Sequence, residues 1–341
     1  MSIKTAIIGY GFAAKTFQEP FLRHLDEFEL VAASGSSASE AKLHWPTMTS
    51  FKDAQLMIAE VEADLFIIAT PNDTHFELTK AVLARGASVL LDKPACTSSD
   101  EMQALLDIEA SSKGSITVFQ NRRWDGDFLT LKQLIKQGRL GDIKRFESHF
   151  DRARPTPKQR WREQIGAGAG IWFDLGPHLI DQVLQLFGKP EDVQADIRTL
   201  RDGAEVDDLF SVQLGYQDKQ VTLHSSPFAF GRPLRFDVQG SKGRFVKYAL
   251  DPQEAQLIAG KAFTIPSWSA DEFANYGRLH TESGDERITT ELGNYQSLFT
   301  QLAKFLKGDG ENPVSLASTA DQIRIIEAGF ESAQQGKRIT L

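Results

Sequence analysis

A chain of 341 residues exceeds what one compact core serves, and it predicts two domains, each with a substantial buried interior. With 41% hydrophobic and 25% charged residues and no low-complexity tract, the composition excludes a chain dominated by disorder. The formal net charge of −8 excludes a surface built for nucleic-acid phosphates; "KRFESHFDRARPTPKQRWRE" is locally basic, but its interspersed acids read as a solvated loop or a small anion site. A single cysteine, Cys96, fits a reducing compartment. A strand-like stretch starts at Ile3, leaving no room for a leader, and no apolar run approaches the ~20 residues that cross a bilayer. The expectation is a cytoplasmic protein with neither a nucleic-acid nor a membrane partner.

From Ile3 to about Gln120, short apolar runs alternate with helical periodicity, the rhythm of a doubly wound parallel sheet. The predicted strands are "KTAIIG", "ELVAAS", "LFIIAT", "SVLLDK" and "SITVFQ", continuous and apolar as strands covered on both faces should be. In "THFELTKAVLARG", Asp73 or Thr74 is placed to cap a helix and Gly86 to end it. Beyond "QNRRWDGDF" a helix, "FLTLKQLIKQG", leads into segments of period two: "IKRFESHF", "LFSVQLGY", "QVTLHSS" and "RFDVQGSKGRFVKY". These predict an antiparallel sheet with one solvated face, with a hairpin at "GSKGR". Two late helices surround "YQSLFTQLAKFLKG" and "TADQIRIIEAGFESAQQG". The boundary is set near residue 120, giving domains 1–120 and 121–341.

The turn "GYGFAA" follows the first strand. Gly9 permits a tight bend, Gly11 lets the backbone approach a pyrophosphate, and Ala14 allows close packing of helix on strand. Gly9, Gly11, Phe12, Ala13 and Ala14 are therefore cofactor-binding candidates, and Pro20 should kink or restart the helix. An acidic residue that would select NAD is absent from the end of the second strand, which reads Ser34, Gly35, Ser36, Ser37. The hydroxyls of Ser34 and Ser36 suit a 2′-phosphate, so NADP is preferred and NAD remains possible.

Ligands of open α/β sheets bind beyond the carboxyl ends of the strands. Thr70, Pro71, Asn72 and His75 follow the third predicted strand, Asp92 and Lys93 end the fourth, and Gln120 follows the fifth. Lys93 reads either as a surface cation paired with Asp92 or as a group that polarises a substrate oxygen. In "GAGAGIWFDLGPHLIDQVLQLFG", Asp174 and His178 stand at i and i+4 if the stretch is helical; Pro177 keeps open an N-capping aspartate followed by a buried histidine. Asp181 is a further polar contact or faces solvent. His24, His44, His149, His224 and His280 lack partners at metal-ligand spacing, so no metal is expected, and Cys96 reads as a packing residue.

Taken in order, "GYGFAA", "ATPNDTH", "DKP", "QNRRWDGDF" and "DLGPH" resemble the Gfo/Idh/MocA oxidoreductase family over nearly the whole chain. The resemblance implies a Rossmann domain followed by an α/β domain with an open, mostly antiparallel sheet, and homodimers or homotetramers built through the exposed face of that sheet. It further implies that Lys93, Asp174 and His178 are catalytic, that Asn72 and His75 line the nicotinamide side, and that a cis peptide before Pro94 aims the lysine. Asp92 replaces the commoner Glu of the E-K-P motif. "QNRRWDGDF" is similar to the branch holding NADP-dependent scyllo-inositol dehydrogenases, which implies a cyclic polyol or sugar substrate. Arg123, Trp124, Arg152 and Arg160 are candidates to hold its hydroxyls, beside Asp174 and His178. The alternative is a non-catalytic dinucleotide-sensing protein on the same fold; the family's glycosidase branch has a glycine- and histidine-rich signature that is absent here.

Overall fold

In the computed structural model, which describes residues 2–341, the chain divides into two compact units. The first comprises Met1–Asn121, Leu257–Lys261 and Tyr295–Ala320; the second comprises Arg122–Gln256, Ala262–Asn294 and Asp321–Leu341. The chain thus leaves the first unit after residue 121 and returns to it twice, a re-entry that one boundary does not describe.

Continuous apolar runs build the first unit because strands covered on both faces need no polar alternation. β1 (Ile3–Ile8), β2 (Phe28–Ser34), β3 (Thr49–Phe51), β4 (Leu65–Ile68), β5 (Ser88–Leu91) and β6 (Ile116–Val118) pair in the order β3-β2-β1-β4-β5-β6. All of these pairs are parallel. Sequence reasoning misses β3, a three-residue edge strand with no buried side chain and hence no apolar run. Strand order reverses between β1 and β4, which creates the crevice where such sheets bind ligands.

The helices of this unit are α1 (Glu19–His24), α2 (Ala54–Glu60), α3 (His75–Ala84) and α4 (Ser99–Ser111). As Pro20 predicts, the helix after β1 is interrupted: a π-helical turn, Ala14–Gln18, precedes α1, and Pro20 sits in the first turn of α1. Thr74 occupies the N-cap of α3, but its hydroxyl donates to the Pro71 carbonyl (2.7 Å) and no side chain caps the helix. Gly86, at φ 77°, follows its end. The returning chain adds the helix Gln296–Leu306, whose Phe299 stacks on Phe21 at 5.1 Å and lies 5.8 Å from Phe119. Val118 N–H donates to the Val314 carbonyl (2.9 Å).

In the second unit, period-two segments form a nine-stranded sheet. Its strands are β7 (Ile143–His149), β8 (Asp192–Arg198), β9 (Leu209–Gly215), β10 (Gln220–Ser225), β11 (Leu234–Gly240), β12 (Gly243–Tyr248), β13 (Gly277–Thr281), β14 (Gly284–Ile288) and β15 (Ile339–Thr340). They run in the order β14-β13-β12-β11-β7-β10-β9-β8-β15, antiparallel except for β7 beside β10. The expected hairpin joins β11 to β12 through Ser241 and Lys242. Besides α5 (Gly126–Lys136), this unit holds α6 (Ile171–Phe187), which lies against β9 and β10. The indole of Trp172 on α6 donates to the Ile326 carbonyl (3.0 Å) of the helix Ala320–Gln335.

Period two does not anticipate Arg235, which is almost fully buried on β11 where the register shifts between Leu234 and Phe236. Its guanidinium donates to Asp127 (2.9 Å), Ser148 (2.8 Å) and Gln182 (2.7 Å), so strand, α5 and α6 share one polar knot inside the core. Among the described residues, no helix is long and apolar enough to cross a membrane.

Candidate active site

β1 delivers the chain into Gly9, whose φ is 86°. A Cβ there would fall 2.7 Å from Thr70 Cγ2 and 2.8 Å from the Ala69 carbonyl, so only glycine lets the ends of β1 and β4 approach this closely. From the other side, the Ser34 carbonyl accepts the N–H groups of Gly9 (3.1 Å) and Tyr10 (2.8 Å). At Gly11 a Cβ would meet nothing beyond its chain neighbours nearer than 3.9 Å, so the space beside this backbone is open, as a pyrophosphate cradle requires. Ala14 is fully buried and Phe12 is exposed, and Ala13, at the N-cap of the π-helical turn, makes no side-chain capping bond. The first N–H groups of a helix are open to an anion in such a setting.

At the end of β2, Ser34 is buried and Ser36 is exposed. A cation that sequence reasoning overlooked, Lys15, lies 5.6 Å from the Tyr10 ring and pairs with Glu40 at 2.7 Å. That contact holds the Glu40 carboxyl below the usual carboxylate range.

His75 opens α3 and is fully buried. Its Nδ1 lies 2.8 Å from the Pro94 carbonyl and its Nε2 3.1 Å from the Thr70 carbonyl, so the ring sits between the loops after β4 and β5, and in its neutral form donates to one of the two carbonyls. Burial pushes its pKa down, against the opposing pull of Asp92 and the two carbonyls. His75 therefore positions these loops and presents no surface of its own. Asp92 accepts the backbone N–H of Lys93 (2.8 Å), both side chains are buried at the mouth of β5, and the Lys93–Pro94 peptide is cis. Asn72 and Gln120 are likewise buried.

In the second unit α6 begins at Gly170, φ 92°, where a Cβ would fall 1.9 Å from Asp207 Oδ1. The same carboxylate supplies the cap that glycine lacks, accepting the Trp172 N–H at 2.7 Å. Burial pushes the Asp207 pKa up to about 6. The helix runs unbroken past Pro177, so Asp174 and His178 stand one turn apart and Asp174 is not the N-cap. Asp174 pairs with Arg162 (3.4 Å), and the buried His178 ring is stacked 6.5 Å from Phe150. The guanidinium groups of Arg122 and Arg152 each lie 4.6 Å from that same Phe150 ring, and both donate to Glu254.

Three predicted residues, Arg152, Arg160 and Asp174, line one cavity of about 40 Å³ in this unit, together with Arg154, Arg162 and Arg201. Sequence reasoning missed the last three, although all but Arg201 lie in the locally basic stretch. Arg123 is not among the lining residues: it is bidentate to Asp181 (2.8 and 2.7 Å), which is therefore neither solvent-facing nor loose. Burial pushes the Asp181 pKa up, and Arg123 opposes that shift. Trp124 accepts from Gln253 (3.1 Å) and Asn294 (2.9 Å) through its carbonyl and also lies outside the lining. The expectation that His149 and His224 have no partner at ligand spacing is corrected, because sheet pairing brings both to Asp151 across a sequence separation of up to 73 residues. His280 likewise pairs with Asp285 at 2.7 Å.

Comparison with known proteins agrees with this fold. Residues 3–120 match the NAD-binding Rossmann fold of the oxidoreductase family, and residues 132–341 match that family's C-terminal alpha/beta domain. The chain is 42% identical to the uncharacterized oxidoreductase YdgJ of Escherichia coli (strain K12), over 100% of this chain and 99% of that protein. It is 33% identical to the scyllo-inositol 2-dehydrogenase (NADP(+)) IolW of Bacillus subtilis (strain 168), over 100% of this chain and 96% of that protein. Among solved structures, an oxidoreductase from Bacillus cereus superposes with a TM-score of 0.90 at 29% identity, covering 100% of this chain and 99% of that one. With both family models matching in order over residues 3–120 and 132–341, on the parallel and the mostly antiparallel sheet respectively, this chain belongs to the Gfo/Idh/MocA oxidoreductase family.

Proposed function

We propose that this protein is an NADP-preferring dehydrogenase or reductase acting on the carbinol or ketone carbon of a cyclic polyol or sugar. One observation carries the reading: Lys93, an amine 8% exposed, stands at the carboxyl end of a parallel strand on a loop held by Asp92 and His75. The nicotinamide cofactor, when bound, supplies or accepts the hydride. The Gly9–Gly11 cradle and the helix beginning at Ala14 would hold its pyrophosphate, beside Thr70, Pro71 and Asn72. Lys93 polarises the substrate oxygen and stabilises the alkoxide. His178 takes the hydroxyl proton in oxidation and returns it in reduction, while Asp174 orients His178 or grips a neighbouring hydroxyl. Arg152 and Arg160 offer N–H donors to further hydroxyls.

Preference for NADP is supported by the missing carboxylate at the end of β2, by exposed Ser36 and by the Lys15 amine. The name of IolW supports both the cofactor and the polyol class. The reading includes a cytoplasmic setting, for which the lone buried Cys96 is support, and copies associated through the outer face of the nine-stranded sheet. The test is NADPH and NADH oxidation by the purified protein across a panel of ketoses and inososes. Turnover of at least one cyclic ketone, with higher kcat/KM for NADPH, is expected. Cofactor binding without consumption across the whole panel overturns the reading in favour of a nucleotide-sensing protein.

A further inference from the structure

The second unit carries another cluster of chemistry-bearing side chains, which the proposed reaction does not use. Along β7, alternation buries Phe146 and Ser148 and turns Glu147 and His149 to the opposite face. β10 runs parallel to β7 and sets His224 beside His149, with ring centroids 5.0 Å apart. The chain leaving β7 returns Asp151 to both rings: His224 Nδ1 lies 2.8 Å from Asp151 Oδ1, and His149 Nδ1 lies 3.2 Å from Asp151 Oδ2. One donor atom from each residue falls within 4.8 Å of the other two. The Ser226 N–H fixes the carboxylate by donating to Oδ1 at 2.9 Å.

We propose that His149, Asp151 and His224 form a binding site for a divalent transition ion of the Zn²⁺ class. Two imidazoles and a carboxylate are the donor set such ions take, leaving a further position for water. Bonds of roughly 2.0–2.1 Å to a tetrahedral ion separate its ligands by about 3.3 Å, close to both carboxylate–imidazole distances. Across the whole set the donor atoms lie within 4.8 Å of one another, so the side chains draw closer on binding.

The His149 ring supplies an independent argument. A neutral imidazole has one ring proton. With that proton on Nδ1, toward Asp151, the buried Nε2 has no hydrogen-bond partner, although Glu147 Oε2 stands 3.6 Å away. With a cation on Nδ1, the proton resides on Nε2 and points to Glu147, the carboxylate–histidine–metal arrangement that orients ligating histidines. Glu147 and Asp151 bring two negative charges here, and Arg145 pairs with Glu147 through the latter's other oxygen. In the single chain, side-chain exposures of 16% for His149, 10% for Asp151 and 28% for His224 leave an approach for the ion, and the site lies on the outer sheet face through which copies are proposed to associate.

The test uses the full-length protein, stripped with a chelator and titrated with ZnCl₂ by calorimetry and with Co²⁺ by visible absorption. One ion per chain is expected, with the d–d bands of a nitrogen–oxygen Co²⁺ site. His224→Ala should weaken binding at least about tenfold, and Glu147→Gln, which spares every ligand, about tenfold. His280→Ala should change neither affinity nor stoichiometry, and NADPH binding should be unaffected throughout. Failure of the wild type to bind either ion at micromolar concentration, or unchanged binding in a His149→Ala/His224→Ala double variant, overturns the site and leaves a hydrogen-bonded His–Asp–His cluster. Neither result bears on the dehydrogenase reading.

Discussion

In the first unit, the groups around the crevice are held chiefly by backbone: Gly9 bends where no side chain fits, the Ser34 carbonyl anchors the turn, and His75 sits between two backbone carbonyls. In the second unit, the groups around α6 are held chiefly by charge: Arg123 on Asp181, Arg162 on Asp174, Arg152 on Glu254 and Asp207 at the helix start. A cradle made of backbone suits a ligand whose shape is invariant, such as a dinucleotide. A wall made of ion pairs can be re-paired by a few substitutions, which suits a substrate that differs among relatives.

Four substitutions probe this contrast, the largest effect first. Arg123→Ala leaves Asp181 buried and unpaired and should cost about 3–5 kcal/mol in denaturant unfolding; a loss below about 1 kcal/mol would show that charge does not hold the second unit together. Lys93→Met should lower kcat about 10²–10³-fold with cofactor binding retained, and full turnover would remove the lysine from the chemistry. Lys15→Ala should raise the KM for NADPH about tenfold and leave that for NADH unchanged, since only the former has a 2′-phosphate to lose a charge-assisted bond.

The smallest effect is expected at Asp207, where Asn keeps an acceptor for the Trp172 N–H and should change stability by less than about 1 kcal/mol at pH 4. Its folded pKa of about 6 stands above the ordinary 3.8, so the native state holds this proton more tightly than the unfolded chain. The resulting stabilisation is full below pH 3.8 and is lost as pH rises through about 6. Melting temperatures between pH 4 and 7 should show this decline in the parent protein and lack its share of it in the Asn variant.

Features governed by neighbours in sequence were legible there. Five strands announced themselves as apolar runs, the Gly9 turn by its glycines, the Asp174–His178 pair by its spacing, and the β11–β12 hairpin by "GSKGR". Polar partnerships between distant segments were not. The Asp207 cap acts from 35 residues away, the Arg235–Asp127 pair spans 108, and the two histidines at Asp151 meet only because β7 and β10 are neighbours. Local periodicity reports which face of a strand is buried, whereas these contacts depend on which strands lie side by side. β3 escaped for the converse reason, having no apolar period to report.

The return of Tyr295–Ala320 to the first unit bears on how the protein is made. When a ribosome has released only the first 121 residues, Val118 still awaits the Val314 carbonyl, and Phe21 and Phe119 still await Phe299. The nucleotide-binding lobe begins first and finishes late, after all the strands of the other sheet except β15 have emerged. Synthesis thus passes through a nascent state with bare aromatic surface, the kind that chaperones capture. A fragment cut at the first crossing should inherit that state permanently.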